Sequence, residues 1–196
     1  MTNREAIYRL LAEVVGIFEA AGVPYVVGGG LAAEAYHLRE TANDVDVFVK
    51  PADAPRAGEV LARAGFRTWI EDAHWLYKAS REDATVDVIY ESMGLVHIGD
   101  ETIRRAREMT MHGVLAKVMP PEDLFVMKAL AATPSAPKHW LDAIHLVTTQ
   151  PMDWDYLVSR VAYNPRKVLR AIVQGYEEGA RVPAGALIKL VKRLED

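Results

Sequence analysis

The sequence predicts an α+β fold: a mixed, mostly antiparallel sheet flanked by helices, followed by a helical C-terminal part. Short apolar runs at 25–27, 45–49, 66–70, 75–79 and 85–90 have strand length and are bounded by Gly, Pro, Asp and other polar clusters. The later runs are joined by turn-sized connections, which suit hairpins and leave no room for strand–helix–strand crossovers. Beyond Pro120-Pro121 the apolar spacing is helical almost to the end of the chain. The expected division is an α/β core over 1–119 and a helical region over 120–196.

Taken in order, residues 4–21 place Ile7, Leu10, Leu11, Val14, Val15 and Phe18 at helical spacing, and Gly22 with Pro24 stops the helix. A strand at 25–27 leads into a helix at 31–38, and 45–49 is the second strand. Residues 52–64 form a helix closed by Gly65. Strands at 66–70 and 75–79 meet around a turn at Glu71-Asp72, and Arg81-Glu82-Asp83 turns the chain into 85–90. Gly99-Asp100 caps a short helix at 101–107, and 109–118 is a hairpin broken at Gly113. Helices follow at 122–132, 138–148, 153–163, 165–178 and 183–194. Trp75, at the opening of a strand, and Trp140, Leu141, Ile144 and Leu146 are expected in the core.

The composition narrows the function classes. With 196 residues, 51% hydrophobic and 26% charged, the chain can bury a sizeable core of ordinary globular type. The absence of cysteine excludes a disulfide framework and a thiolate metal site. A formal charge of −4 excludes a strongly basic nucleic-acid binder taken as a whole, while permitting a local basic groove. The N-terminus runs into an amphipathic pattern, and no 18-residue apolar stretch follows, so a cytoplasmic protein with no membrane partner is expected.

The chemistry concentrates between residues 24 and 49. Tyr25-Val26-Val27 breaks at Gly28, Gly29 and Gly30, a helical segment follows, and the next strand carries Asp44 and Asp46 at alternate positions. Alternate residues share a strand face, so both carboxylates oppose the face of Val45, Val47 and Val49. Asp87, flanked by Val86 and Val88, repeats this arrangement. Carboxylates gathered on a half-buried face repel one another and resist desolvation unless a cation lies between them, and a divalent metal is the simplest one. The glycines formally satisfy G-x-G-x-x-A, a dinucleotide fingerprint. That reading requires its acid at the far end of the second strand, whereas Asp44 and Asp46 open it. A glycine turn that packs a helix on the sheet, and bare backbone N–H groups that cradle phosphate, are the other two readings.

Gly28-Gly29, a helix, Arg39-x-Thr41, Asp44-x-Asp46 and Val86-Asp87-Val88 together resemble the nucleotidyltransferase superfamily of DNA polymerase β-like fold. Here Asn43 places Thr41 three positions before Asp44, one more than the family often shows. Pro121-Glu122-Asp123-Leu124 with Lys128, then Lys138 and Asp142, is similar to the helical tail of small stand-alone bacterial members such as AbiEii-type toxins and lincosamide or aminoglycoside nucleotidyltransferases. The resemblance implies that Gly28 and Gly29 hold an NTP triphosphate, with Arg39, Thr41, Lys128 and Lys138 as further nucleotide-binding candidates. It also implies that Asp44 and Asp46 bind Mg²⁺, and that Asp87 completes the site for a second ion and helps deprotonate an acceptor hydroxyl. The acceptor would be a small molecule, a tRNA 3′ end or a protein, and a cognate antitoxin is a conceivable partner. The alternatives are a catalytically silent nucleotide-binding or toxin–antitoxin module of the same fold, and an NAD(P)- or FAD-binding oxidoreductase.

Overall fold

A computed structural model describes residues 3–38, 44–82, 84–92 and 96–194. It divides into two compact units, Met1–Glu91 with His97–Met119, and Ser92–Val96 with Pro120–Asp196. No helix among the described residues is long and apolar enough to cross a membrane.

The first unit opens with α1 (Asn3–Ala21), whose predicted apolar stripe is buried throughout. Gly22 closes it in the left-handed region (φ 62°), with the Val23 N–H donating to the Phe18 carbonyl at 2.9 Å. Then come β1 (Tyr25–Val27), α2 (Gly29–Ala35), β2 (Val45–Val49), α3 (Ala54–Arg63), β3 (Arg67–Asp72), β4 (Leu76–Arg81) and β5 (Ala84–Ile89). Next in the chain are two short strands outside the main sheet, β6 (Glu91–Ser92) and β7 (Val96–His97), which the sequence pattern did not announce. The helix α4 (Asp100–Arg104) and the hairpin β8 (Arg107–Met111) and β9 (Val114–Val118) follow.

The main sheet has the order β3-β4-β5-β2-β1-β9-β8. Four of its pairings are antiparallel, and β2–β5 and β1–β9 are parallel, so it is mixed and mostly antiparallel as expected. Val45 and Val47 on β2 and Val86 and Val88 on β5 are fully buried, and α1 and α3 pack on these strands. Gly58 brings α3 against Tyr77, which lies in register with Val88.

Three expectations are corrected. The helix expected over 31–38 begins at Gly29, because the glycine backbone enters it directly and the Ala32 N–H reaches the Gly28 carbonyl at 2.9 Å. Glu71 and Asp72 belong to β3, where the pairing with β4 shifts between Ile70 and Asp72; the turn lies just beyond and leaves Trp75 40% exposed. Leu141 is 58% exposed, because it lies one residue, about 100° of rotation, off the buried stripe of Asp142, Ala143, Leu146 and Val147.

The second unit carries α5 (Pro121–Ala131), α6 (Lys138–Thr149), α7 (Trp154–Arg160), α8 (Pro165–Glu177) and α9 (Ala184–Lys192). Almost all of α5 is buried, including Glu122, Asp123 and Lys128. Each polar group finds a partner, as burial demands. Asp123 accepts from Tyr156 Oη at 2.6 Å and from Arg160 Nε at 2.5 Å, and Glu122 accepts the Asp153 N–H at 2.8 Å. Lys128 Nζ donates to Asp142 at 3.0 Å. Asp153 caps α7, and Asn164, followed by Pro165, caps α8.

Arg160→Ala would remove the guanidinium that bonds the Asp123 carboxylate, whose side chain is fully buried. The expected cost is about 3 kcal/mol, read from urea unfolding.

Candidate active site

The site grows from the end of β1. The Gly28 N–H donates to the Asp46 carbonyl at 3.0 Å, which carries the β1–β2 pairing one step into the bend. A Cβ on Gly28 would lie 2.2 Å from the Phe48 ring. A Cβ on Gly29, whose φ is +56°, would lie 1.6 Å from Asp46 Oδ2. Both positions therefore require glycine, and the Asp46 carboxylate rests in the space that a side chain at Gly29 would fill.

Register does the rest. Parallel pairing of β2 with β5 sets Asp46 opposite Asp87. Asp44, immediately before β2, completes a cluster in which one carboxylate oxygen from each residue lies within 4.8 Å of the others. Antiparallel pairing of β5 with β4 places Lys78 opposite Asp87, and Lys78 Nζ donates to both carboxylate oxygens, at 2.9 and 3.1 Å. One strand further out Trp69 lies opposite Lys78, with its Nε1 donating to Glu71 at 2.6 Å. Burial alone would lower the Lys78 pKa; the hydrogen bond and charge of Asp87, with Glu71 and Asp44 behind it, raise it above the ordinary lysine value. The ammonium is therefore charged at neutral pH.

The bend is held from behind through α2. Tyr8 Oη donates to Glu34 at 2.5 Å, Arg4 donates to Tyr8 Oη at 3.1 Å, and Tyr36 Oη donates to the Met119 carbonyl at 2.8 Å. Burial and then the Glu34 carboxylate push the Tyr8 pKa up to about 12.

The structure thus brings together Gly28, Gly29, Asp44, Asp46 and Asp87. Arg39 and Thr41 lie outside the described residues. Lys128 and Lys138 belong to the second unit, Lys128 buried and bonded to Asp142, Lys138 exposed at the start of α6. The sequence reasoning missed Lys78, whose place beside Asp87 could have been found only by fixing the β4–β5 register. The donor set fits a hard divalent cation: three carboxylates offer oxygen ligands within reach of one another.

Over residues 7–180 the sequence matches the family described as nucleotidyl transferase of unknown function (DUF2204). The chain belongs to this nucleotidyl transferase family. No curated protein matches the sequence. The antibiotic-resistance factor ANT(2'')-Ia in solution shares the fold with a TM-score of 0.59 at 13% identity, covering 90% of this chain and 94% of that one. The crystal structure of ANT(2")-Ia in complex with adenylyl-2"-tobramycin gives 0.56 at 15% identity, over 88% and 98%. An antigenic nucleotidyltransferase-like protein from Paracoccidioides brasiliensis gives 0.56 at 13% identity, over 95% and 92%. These likenesses bear on the fold, and the family match carries the assignment.

Gly29→Ala is expected to lose about 1–3 kcal/mol of stability and, by displacing Asp46, any stabilisation by added Mn²⁺ in a thermal melt. Gly65→Ala, at φ +90° with nothing near its Cβ, serves as the control that keeps the Mn²⁺ response. Because the folded state holds the Tyr8 proton more tightly than the unfolded chain, its contribution is complete below pH 10 and declines from pH 10 to about 12. Tyr8→Phe should flatten that decline in alkaline unfolding.

Proposed function

We propose that this nucleotidyl transferase moves a nucleoside monophosphate from an NTP to an acceptor hydroxyl, releasing pyrophosphate, with Mg²⁺ as its metal. The observation that carries the reading is the convergence of Asp44, Asp46 and Asp87 beside a bend that must be glycine. Gly28 and Gly29 shape the bend into α2, whose first backbone N–H groups hold the triphosphate. Asp44 and Asp46 hold Mg²⁺, and Asp87 offers ligands for a second ion. A bound divalent ion supplies Lewis-acid stabilisation of the charge that builds on the phosphates and on the departing pyrophosphate.

Asp87 orients the acceptor hydroxyl and takes its proton as the oxygen attacks the α-phosphorus in line. The new P–O bond forms while the bond to the pyrophosphate oxygen breaks, and the proton leaves through the carboxylate to solvent. The presence of all three aspartates favours catalysis over a silent module of the same fold. Among acceptors, a small hydroxylated molecule suits the formal charge of −4 better than a tRNA 3′ end does. The complex of ANT(2")-Ia with adenylyl-2"-tobramycin gives a precedent for such an acceptor on this fold. A cytoplasmic location, where NTP and Mg²⁺ are both at hand, goes with this chemistry.

Pyrophosphate release with Mg²⁺ and each NTP in turn, across panels of hydroxylated small molecules and tRNA, is the direct test. Asp44→Ala and Asp87→Ala should each lose at least about a hundredfold in rate; a wild type as silent as these variants would remove the enzymatic reading. With a small acceptor the rate should change little between 50 and 200 mM salt, whereas a tRNA acceptor would bring a steep fall. Mg²⁺ should raise the melting temperature of the wild type and leave that of Asp46→Asn unchanged.

A further inference from the structure

Lys78 has no part in the chemistry above, yet it is built into the site. Strand register sets it directly opposite Asp87, and its ammonium donates to both oxygens of that carboxylate, at 2.9 and 3.1 Å. The pair is largely withdrawn from solvent, with the lysine side chain 26% and the aspartate 14% exposed. The oxygens it engages are those through which Asp87 would bind a metal ion. A divalent cation at Asp87 would therefore meet a fixed positive charge and a carboxylate both of whose oxygens already accept from it.

We infer that Lys78 is the built-in counter-ion of the third carboxylate. In the nucleotide-free protein its ammonium takes the cation position at Asp87, so that one divalent ion binds at Asp44 and Asp46. A second enters only when Lys78 releases Asp87. This rests on the reading of Asp44, Asp46 and Asp87 as metal ligands. It lessens the repulsion among three carboxylates in close approach before any metal or nucleotide arrives, since Asp87 is neutralised from within. It also gives Asp87 a fixed orientation in the resting site. Lysine suits the task, because its point charge sits on a flexible stem that can swing away without the chain having to move. Lys78 is thus a positioning residue, acting through Asp87.

The test counts ions in the full chain without nucleotide, by titrating Mn²⁺ and following loss of the free-ion electron paramagnetic resonance signal. The wild type is expected to bind one Mn²⁺. Lys78→Met, which keeps the apolar stem and removes the charge, should bind two, the first about tenfold more tightly because a repelling charge is gone. Lys78→Arg, whose guanidinium can bond both Asp87 oxygens, should return the count to one. Two ions of similar affinity in the wild type would overturn the inference whether or not the variants fold. An unchanged count of one in Lys78→Met would overturn the role of Lys78 while leaving the metal reading in place. No bound Mn²⁺ in any of the three proteins would remove the metal reading itself and the inference with it.

Discussion

The site depends on a single pairing, the parallel register in which β2 sets Asp46 opposite Asp87 on β5. What holds that register is apolar. Val45, Val47, Val86 and Val88 occupy the opposite face of the same two strands and are completely buried. Each buried valine is worth about 1.5–3 kcal/mol, so the four together exceed the repulsion of about 4 kcal/mol between two carboxylates at this range near a protein surface. Burial therefore wins, and it forces together charges that would separate if left to themselves. A slip of one residue on either strand would turn valines to the site and carboxylates to the core, which excludes the neighbouring registers. The gathering of the carboxylates is thus a by-product of how the core packs.

The glycine bend is bound to the same strand. Asp46 and Phe48 lie two residues apart on one face of β2, and each presses against one glycine, Asp46 on Gly29 and Phe48 on Gly28. Neither glycine is present for flexibility; each makes room for a side chain from the neighbouring strand. Behind the bend, Tyr8 with Glu34 and Tyr36 with the Met119 carbonyl tie α2 to α1 and to the end of β9. Across the sheet the pairings lay out a row of chemically distinct groups: Gly28, Asp46, Asp87, Lys78 and Trp69. The row passes from two acids to a lysine and ends in an indole at the outermost strand, so acidic, basic and aromatic groups share one face of one sheet.

Much of this was legible in the residues. The strands and most helices followed from apolar spacing, and the common face of Asp44 and Asp46 from the two-residue strand period. Their meeting with Asp87 was anticipated because Val86 and Val88 flank Asp87 as Val45 and Val47 flank Asp46. Lys78 escaped because nothing local separates a lysine beside a carboxylate from one in solvent. Trp75 and Leu141 were expected in the core on hydrophobicity alone, but a turn beyond β3 and a rotation around α6 set both outside it. Lys128 could be read as a free cation on a helix face, whereas Asp142 of the next helix neutralises it within the core of the second unit.

By itself the sequence determined the periodicities, hence which residues form strands and helices, which side chains share a face, and that glycines end the first strand. Only the tertiary structure decided which strands are neighbours and in what register, and therefore that Asp87 meets Asp46, that Lys78 meets Asp87, and that the missing Cβ of Gly29 makes room for a carboxylate. The physical reason is that period and face are properties of a few consecutive residues. Register between separate strands is set instead by the burial of the whole valine face, which no single segment contains.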